Sequence, residues 1–372
     1  MNKDDSKEKI EETKFNTASQ WQLIWFRFKK HKLALGASVV LIILYTLAIF
    51  APFFSPHNPY QRSLEYRNAP PQRIRFFHEG DFNLRPHVYR LTSTTDPNTF
   101  ETVYVEDRTE KYPIKFFTRG FEYEVLGLFT TDIHFFGTGH DEVPIHIFGT
   151  DRLGRDMFAR ILYGARISLS IGLIGVGISL IIGILIGGIA GYMGGIVDEV
   201  IQRGIELLRS IPTLPLWMAL SASLPSSWSP IQVYLAITII LSLIGWTSLA
   251  RQVRGKFLSL RNENYVIAAE LAGRNQIEII FLHMVPAFLS HLIANLTIAI
   301  PGMILGETSL SFLGIGLRSP TISWGVLLQR AQNINTIQMA PWLMIPGIFV
   351  VITVLAFNFL GDGLRDAADP YS

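Results

Sequence analysis

The chain has no cysteine among its 372 residues, which excludes a disulfide framework, a thiolate-held metal and thiol catalysis. Charge is scarce as well. Only 17% of the residues are charged against 49% hydrophobic, a balance that suits a polytopic membrane protein better than a water-soluble domain. A net charge of +2 points to no partner. A nucleotide-binding phosphate loop is missing too: in the nearest candidate, R-G-K-F at Arg254 to Phe257, Ala250 stands where the first glycine belongs and no Ser or Thr follows Lys256. There is no G-x-S-x-G, no H-E-x-x-H and no pair of carboxylates inside an apolar run, so a membrane-embedded enzyme has no nucleophile, base or metal set to work with. A stand-alone channel or secondary carrier would need ion-handling charges within its spans and usually an internal repeat, and neither is read.

What is present is a series of long apolar runs. Residues 1–32 read as a polar cytoplasmic tail followed by an interfacial helix, in which Trp21, Leu23, Ile24, Trp25 and Phe26 sit beside Arg27, Lys29, Lys30 and Lys32. Residues 33–54 form an apolar run long enough to cross a hydrocarbon core of about 30 Å, and the basic cluster before it keeps the N-terminus inside. Residues 55–147 lose hydrophobicity, and short runs such as H-V-Y-R-L-T, T-V-Y-V-E-D and F-E-Y-E-V-L alternate with turn clusters. They predict a small β-rich insert outside the cytoplasm. Its histidines His134, His140 and His146 recur every six residues. Strand period alone accounts for that spacing, and no zinc-binding pattern accompanies it.

Residues 148–372 carry five further spans, giving six with both termini inside. Asp151 is expected to cap a short surface helix with the apolar stripe Met157, Phe158, Ile161 and Leu162, and span two runs from Ile167 to about Met193. There Gly183, Gly187, Gly191 and Gly195 fall at four-residue intervals, a flat ridge for helix packing. Span three, about Ile205 to Leu224, holds Pro212 and Pro215, which predict a kinked or unwound wall for a pathway with Met218 and Ser221 beside the kink. Span four covers Ile231 to Ala250. Span five carries Asn295 and Glu307, pathway candidates because polar groups near the membrane are functional by default, although a partner-satisfied structural role is the favoured reading of Glu307. Span six runs from about Trp342 to Leu360. In the short segments the inside ones hold Arg203, the basic residues of 251–286 and Arg365, and the outside ones only Arg318 and Arg330.

Between spans four and five lies Arg251 to Pro286. Asn262 or Asn264 can cap a short helix through Leu271, Gly273 can end it, and a second helix runs from Asn275 towards Pro286. Ala268, Ala269, Ala272 and Gly273 fall on one side of the first helix, which leaves that side nearly bare for a second surface.

The run Y-V-I-A-A-E-L-A-G, Tyr265 to Gly273, followed by I-I-F-L-H-M-V-P, resembles the E-A-A, glycine, proline loop of ABC-importer permeases. F-G-T-D-R-L-G-R-D-M-F-A-R-I-L-Y-G-A-R-I-S-L, Phe148 to Leu169, resembles the sequence that opens the core of the peptide/opine/nickel class, C-type subunit. The resemblance covers roughly Asp151 to Asp369 in detail and the first span loosely, and the insert lies outside it. It implies an all-α polytopic fold of the type I importer kind, with residues 251–286 as the coupling loop and Tyr265, Val266, Ala268, Ala269, Glu270, Ala272, Gly273 and Pro286 meeting an ATPase. Ile267 replaces the motif's acidic residue, so docking by shape is expected to outlast the loss of that charge. The implied partners are a second related permease, two cytoplasmic ATPases that bind ATP and Mg, and an extracytoplasmic solute-binding protein. This chain itself holds no cofactor or metal. The implied cargo is an oligopeptide or dipeptide, with an oligosaccharide, a nickel chelate or an opine as alternatives.

Overall fold

Apolar runs and their interruptions set the order of elements in the computed structural model, which describes residues 20–78, 81–95, 97, 102–140 and 143–368. The polar tail at residues 1–19 lies outside the described residues. Helix α1 (Gln20–Lys30) is followed by α2 (Lys32–Ile49), whose first turn is capped by His31 accepting from the Ala34 N–H at 3.1 Å. Proline at position 52 cannot donate to α2, so the expected first span, 33–54, ends at Phe50 and a single turn, α3 (Ala51–Phe54), completes it.

Two antiparallel sheets follow rather than one. Strands β1 (Arg75–His78), β2 (Asp81–Thr95) and β3 (Thr102–Pro113) pair in that order, with Thr92 opposite Val105. Strands β4 (Lys115–Val125) and β5 (Phe129–Gly137) form a separate hairpin with Phe116 opposite Phe136. Polar Thr130, Thr131 and Asp132 hide β5 in the sequence; pairing with β4 is what makes that run a strand.

Helix α4 (Met157–Met193) is one continuous rod of 37 residues, not a surface helix followed by a span. Nothing between Leu162 and Ile167 breaks it, and Gly164 is accommodated because Ser323 and Trp324 pack directly over it. Its N-cap is Asp156, accepting from the Ala159 N–H at 2.7 Å, whereas Asp151 closes the preceding turn by accepting from Leu153 N–H. From its exposed side, Arg166 donates to the carbonyls of Ala48 and Ile49 at 2.7 Å each, satisfying the end of α2 with a cation.

The predicted third span is broken. In its place stand α5 (Gly195–Ser210) and α6 (Thr213–Ala222), separated by extended Ile211 and Pro212. Asp198, Glu199, Arg203, Glu206 and Arg209 make α5 amphipathic, and ten residues of α6 rise only about 15 Å. The described residues therefore contain five helices long and apolar enough to cross a membrane, not six. Three of the five come later in the chain, whose remaining helices are α7 (Pro230–Leu260), α8 (Asn264–Leu271), α9 (Gln276–Ala287), α10 (Leu289–Phe312), α11 (Trp324–Gln329), α12 (Ile334–Met339) and α13 (Ile345–Ala368), with α7, α10 and α13 the spanning ones. The C-terminal run G-D-G-L-R-D-A-A continues α13, and its Ala367 joins Phe28 and Ala34 in a small cluster at the foot of α1 and α2.

Helix α4 lies along α7 on its glycines. A side chain at Gly187 would meet the Ala250 carbonyl and one at Gly191 the Arg254 carbonyl, so those backbones touch. The expected fourth member, Gly195, lies past the helix end and meets nothing. The main core gathers Leu169, Ile171, Leu241, Ile304, Trp324 and Phe357 from five helices, with the indole of Trp324 donating to the Ile161 carbonyl at 3.1 Å.

Candidate coupling surface and pathway wall

Helix α7 does not stop at the membrane edge. It carries Arg251 to Leu260 as three more turns, so the coupling segment begins as a rigid extension of a span. After the turn at Arg261 and Asn262, α8 starts with Glu263 at its N-cap, which makes no side-chain capping bond; neither Asn262 nor Asn264 is the cap. Its end is as the glycine predicts. Gly273 has φ +75°, the left-handed region where a side chain is strained, and the amide of Arg274 returns to the Ala269 carbonyl at 3.2 Å while that of Gly273 reaches Glu270 at 2.9 Å. Asn275 then caps α9 by accepting from Glu278 N–H at 2.8 Å. Pro286 cannot donate backward, and the turns before it, Ile279 to Met284, widen to i→i+5 spacing.

The eight coupling residues do not share one role. Val266 and Ala269 are buried, facing a hydrophobic cluster with Val253, Phe257, Ile280 and Met284 that is distinct from the main core. Pro286 shapes α9 behind them. Tyr265, Ala268, Glu270, Ala272 and Gly273 are exposed, joined by Ile267 and by Leu271, which is 85% exposed. The free face is thus broader and more apolar than a bare alanine strip. A Cβ added at Gly273 would meet nothing.

Two contacts tie this unit to the spans. The Tyr192 hydroxyl donates to the Glu270 carboxylate, and Arg254 of α7 forks onto Asp198 of α5. Helix spacing gives no warning of either pair, since the partners lie 78 and 56 residues apart.

At the expected pathway wall, Pro212 is the N-cap of α6 and Pro215 sits in its first turn, where a missing N–H costs nothing; both are exposed. Met218 is half-buried against the main core, and Ser221 is buried at the wall of a cavity of about 260 Å³ shared with Leu224, Trp228, Val233 and Pro320. Asn295 is half-buried on α10. Glu307 is not near a surface: it is fully buried, accepting from Ser323 at 2.7 Å, Ser311 at 2.8 Å and Ser168 at 3.2 Å. Ser168 in turn accepts from Trp324 N–H at 3.1 Å. A carboxylate with three hydroxyl donors from α4, α10 and the cap of α11 is a structural junction.

The periodic histidines are separated by their bonds. His134 is buried between the carbonyls of Pro52 and Phe121 at 2.9 Å each, and His140 is exposed. His146 instead meets His57 and Asp156, with metal-ligand-type atoms within 4.8 Å of one another. That trio is already knitted into the fold: the Asp156 oxygens take the His146 ring at 2.8 Å and the Ala159 N–H, and His57 Nε2 faces the backbone of Ile145 at 3.1 Å.

Residues 183–371 match the family described as the binding-protein-dependent transport system inner membrane component, and residues 19–71 match the N-terminal TM domain of oligopeptide transport permease C. The chain is 32% identical over 354 residues to a dipeptide transport system permease protein of Bacillus subtilis, covering 95% of this chain and 86% of that one. It is 33% identical over 375 residues to a dipeptide transport system permease protein of Lactococcus lactis subsp. cremoris, covering 98% and 94%. An oligopeptide transport system permease protein of Bacillus subtilis is 29% identical over 353 residues, 95% and 90%.

The chain belongs to this permease family.

It is accordingly a membrane-integral transport subunit of an ABC importer and not an enzyme, and a permease of a binding-protein-dependent system works with ATPase and solute-binding partners. The second match spans α1 to α3, so the permease's interfacial helix belongs to the family pattern together with the first span, where the sequence resemblance was only loose. What motif reading missed in the permease is the division of the coupling helix into an anchored side and a free side. The anchor is decided by Val253 and Phe257 on α7, outside the motif, together with Ile280 and Met284 on α9, inside its second half.

Proposed function

We propose that this permease carries dipeptides or oligopeptides, forming half of the translocation pathway beside a second, related permease, while two separate ATPases bind the ATP and Mg that drive it. The names of the relatives support the cargo. The observation that carries the coupling role is the exposed face of α8, where Leu271, Ile267 and Tyr265 flank the small residues Ala268, Ala272 and Gly273 above an anchored platform. A groove on an ATPase receives that face by shape, because Ile267 offers no charge. Closing the ATPases pulls α8, and the platform passes the movement into α4, α7, α9 and α10.

The chain's orientation follows from its basic residues: both termini and α8 face the cytoplasm, and the two sheets face outward towards the solute-binding protein. Helices α5 and α6 together complete the sixth crossing in the assembled transporter. Exposed Ile196, Val200, Leu207, Ile211 and Leu214 support this, since a broken helix is tolerated at membrane depth only against protein or a wet cavity. The kink at Pro212 then faces the second permease.

The absence of cysteine makes the test direct. Leu271→Cys, introduced into the assembled transporter, should cross-link to the ATPase with a short thiol reagent and change its yield when ATP is bound. A transporter that imports peptide at the normal rate while Cys at 271 never reaches an ATPase would remove the proposal.

A further inference from the structure

The tip of a β-hairpin is ordinarily polar, because its turn faces water. The tip that joins β4 to β5 is not. Val125, Leu126, Gly127, Leu128 and Phe129 follow one another there, with Leu128 79% exposed and Leu126 and Phe129 60% each. The turn closes on its own backbone, Leu128 N–H donating to the Val125 carbonyl at 2.9 Å, and the two residues between have positive φ, +52° at Leu126 and +74° at Gly127. Asn or Gly meets that requirement of a tight hairpin without strain. Leucine at the first of the two positions is the strained choice, so an exposed apolar side chain is kept there against local preference.

The hairpin lies against the outer end of the first span, and its contacts descend that end in order. Phe135 packs on Phe53 and Phe54, with 5.8 and 5.4 Å between ring centroids. One residue nearer the tip, His134 meets the Pro52 carbonyl at 2.9 Å. Tyr123, Val125 and Leu126 then share a cavity of about 120 Å³ with Ile49, Phe50 and Arg166. The tip therefore reaches the level at which Arg166, stacked over Tyr163 at 5.3 Å, closes the last carbonyls of α2. An aromatic ring with a polar end, beside a cation at the end of a span, marks the edge of the hydrocarbon. From there inward α2 presents an exposed stripe of Val39, Ile42, Ile43, Ile49 and Phe50 at helical spacing. Thr46 within that stripe donates its hydroxyl to the Ile42 carbonyl at 2.7 Å and so needs no partner in the surrounding medium. The apolar tip continues the lipid-facing side of α2. Glu122, Glu124 and Asp132 flank it, so attraction to anionic lipid is not what holds it, and burial of apolar area is.

We propose that the β4–β5 tip is a membrane anchor: Leu126, Leu128 and Phe129 insert among the acyl chains of the leaflet at the outer end of α2, beside Ile49 and Phe50, and fasten the hairpin to the lipid surface. The anchor rests on the membrane placement of α2 and is independent of what the transporter carries and of the docking of α8.

The test places a polarity-sensitive fluorophore on Leu128→Cys, and for reference on Val103→Cys of β3, in the full-length chain reconstituted into phosphatidylcholine vesicles. A nitroxide on the fifth acyl carbon should quench the label at 128 at least about threefold more than the label at 103, and aqueous iodide should do the reverse, since an inserted loop reaches the boundary between headgroups and acyl chains. Replacing part of the lipid by an anionic one should leave both ratios unchanged. Leu126→Asn suits the positive φ and so spares the turn; combined with Phe129→Ser it should cut the lipid quenching at 128 at least about twofold. The same labels are then read in the assembled transporter. Iodide quenching at 128 equal to that at 103, lipid quenching unaltered by the double substitution, or shielding of 128 from both quenchers in the assembled transporter would each overturn the proposal, the last by giving the tip to another subunit.

Discussion

Tyr192, on the last turn of α4, donates its hydroxyl to the carboxylate of Glu270 on the coupling helix. A residue that the motif offers to an outside partner is thereby fastened to the permease's own longest rod. Tyr192→Phe cuts that tie and keeps the ring. Faster amide exchange across Asn264 to Leu271 is expected, with uptake lowered a few-fold, since the movement of α8 is then passed on through apolar contacts alone. Unchanged exchange in that helix would show that the hydroxyl carries nothing.

Gly273 separates shape from strain. At φ +75° any side chain is strained by about 1–2 kcal/mol, yet nothing stands within reach of a Cβ there. Gly273→Ala is expected to lower uptake modestly. Gly273→Trp adds bulk to the docking face and should abolish ATP-driven uptake with normal amounts of permease in the membrane fraction. Normal uptake by the tryptophan variant would refute the assigned face.

Where α4 meets α7, the Ala250 carbonyl would lie 2.3 Å from a Cβ at Gly187. Gly187→Leu must therefore push two backbones apart, at a cost of about 3 kcal/mol or more. The expected outcome is a lower unfolding midpoint and loss of transport, whereas Gly177→Leu on the same helix, where the backbone is helical and a Cβ meets nothing within 4 Å, should change stability little.

Glu307 tests structure against pathway. Glu307→Ala strands the hydroxyls of Ser168, Ser311 and Ser323, worth about 1–3 kcal/mol for each one left unpaired. Membrane levels should fall sharply. Glu307→Gln keeps an oxygen to accept from Ser311 and Ser323, turns the third bond round so that its amide donates to Ser168, and should transport nearly normally per folded molecule; a glutamine variant that is stable yet inactive would make Glu307 a pathway group instead.

Acid should loosen the outer face. Burial pushes His57 down to about 4, against a value of about 6.5 in an unfolded chain. Between those values the unfolded state binds more protons, so the stability His57 contributes above about pH 6.5 drains away as pH falls to about 4. Thermal unfolding measured across that window should show the decline, and His57→Asn should flatten it.

Composition and the length of the apolar runs determined by themselves that this is a polytopic helical membrane protein, because those quantities follow from the solvent each residue must face. Local chemistry also ended α8 at Gly273 and began α9 at Asn275, since caps and left-handed residues depend on a few neighbouring atoms. Only the tertiary structure decided which side of α8 is free: Val266 and Ala269 turn inward because Phe257 and Met284 arrive from other helices, and nothing in the motif encodes their arrival. Whereas the break of the third span at Pro212 was already legible in its prolines, the tertiary structure decided likewise that Glu307 ends in a ring of serines and that Arg254 meets Asp198. Each of these depends on groups brought together from distant parts of the chain, where neither periodicity nor spacing carries a record of the meeting.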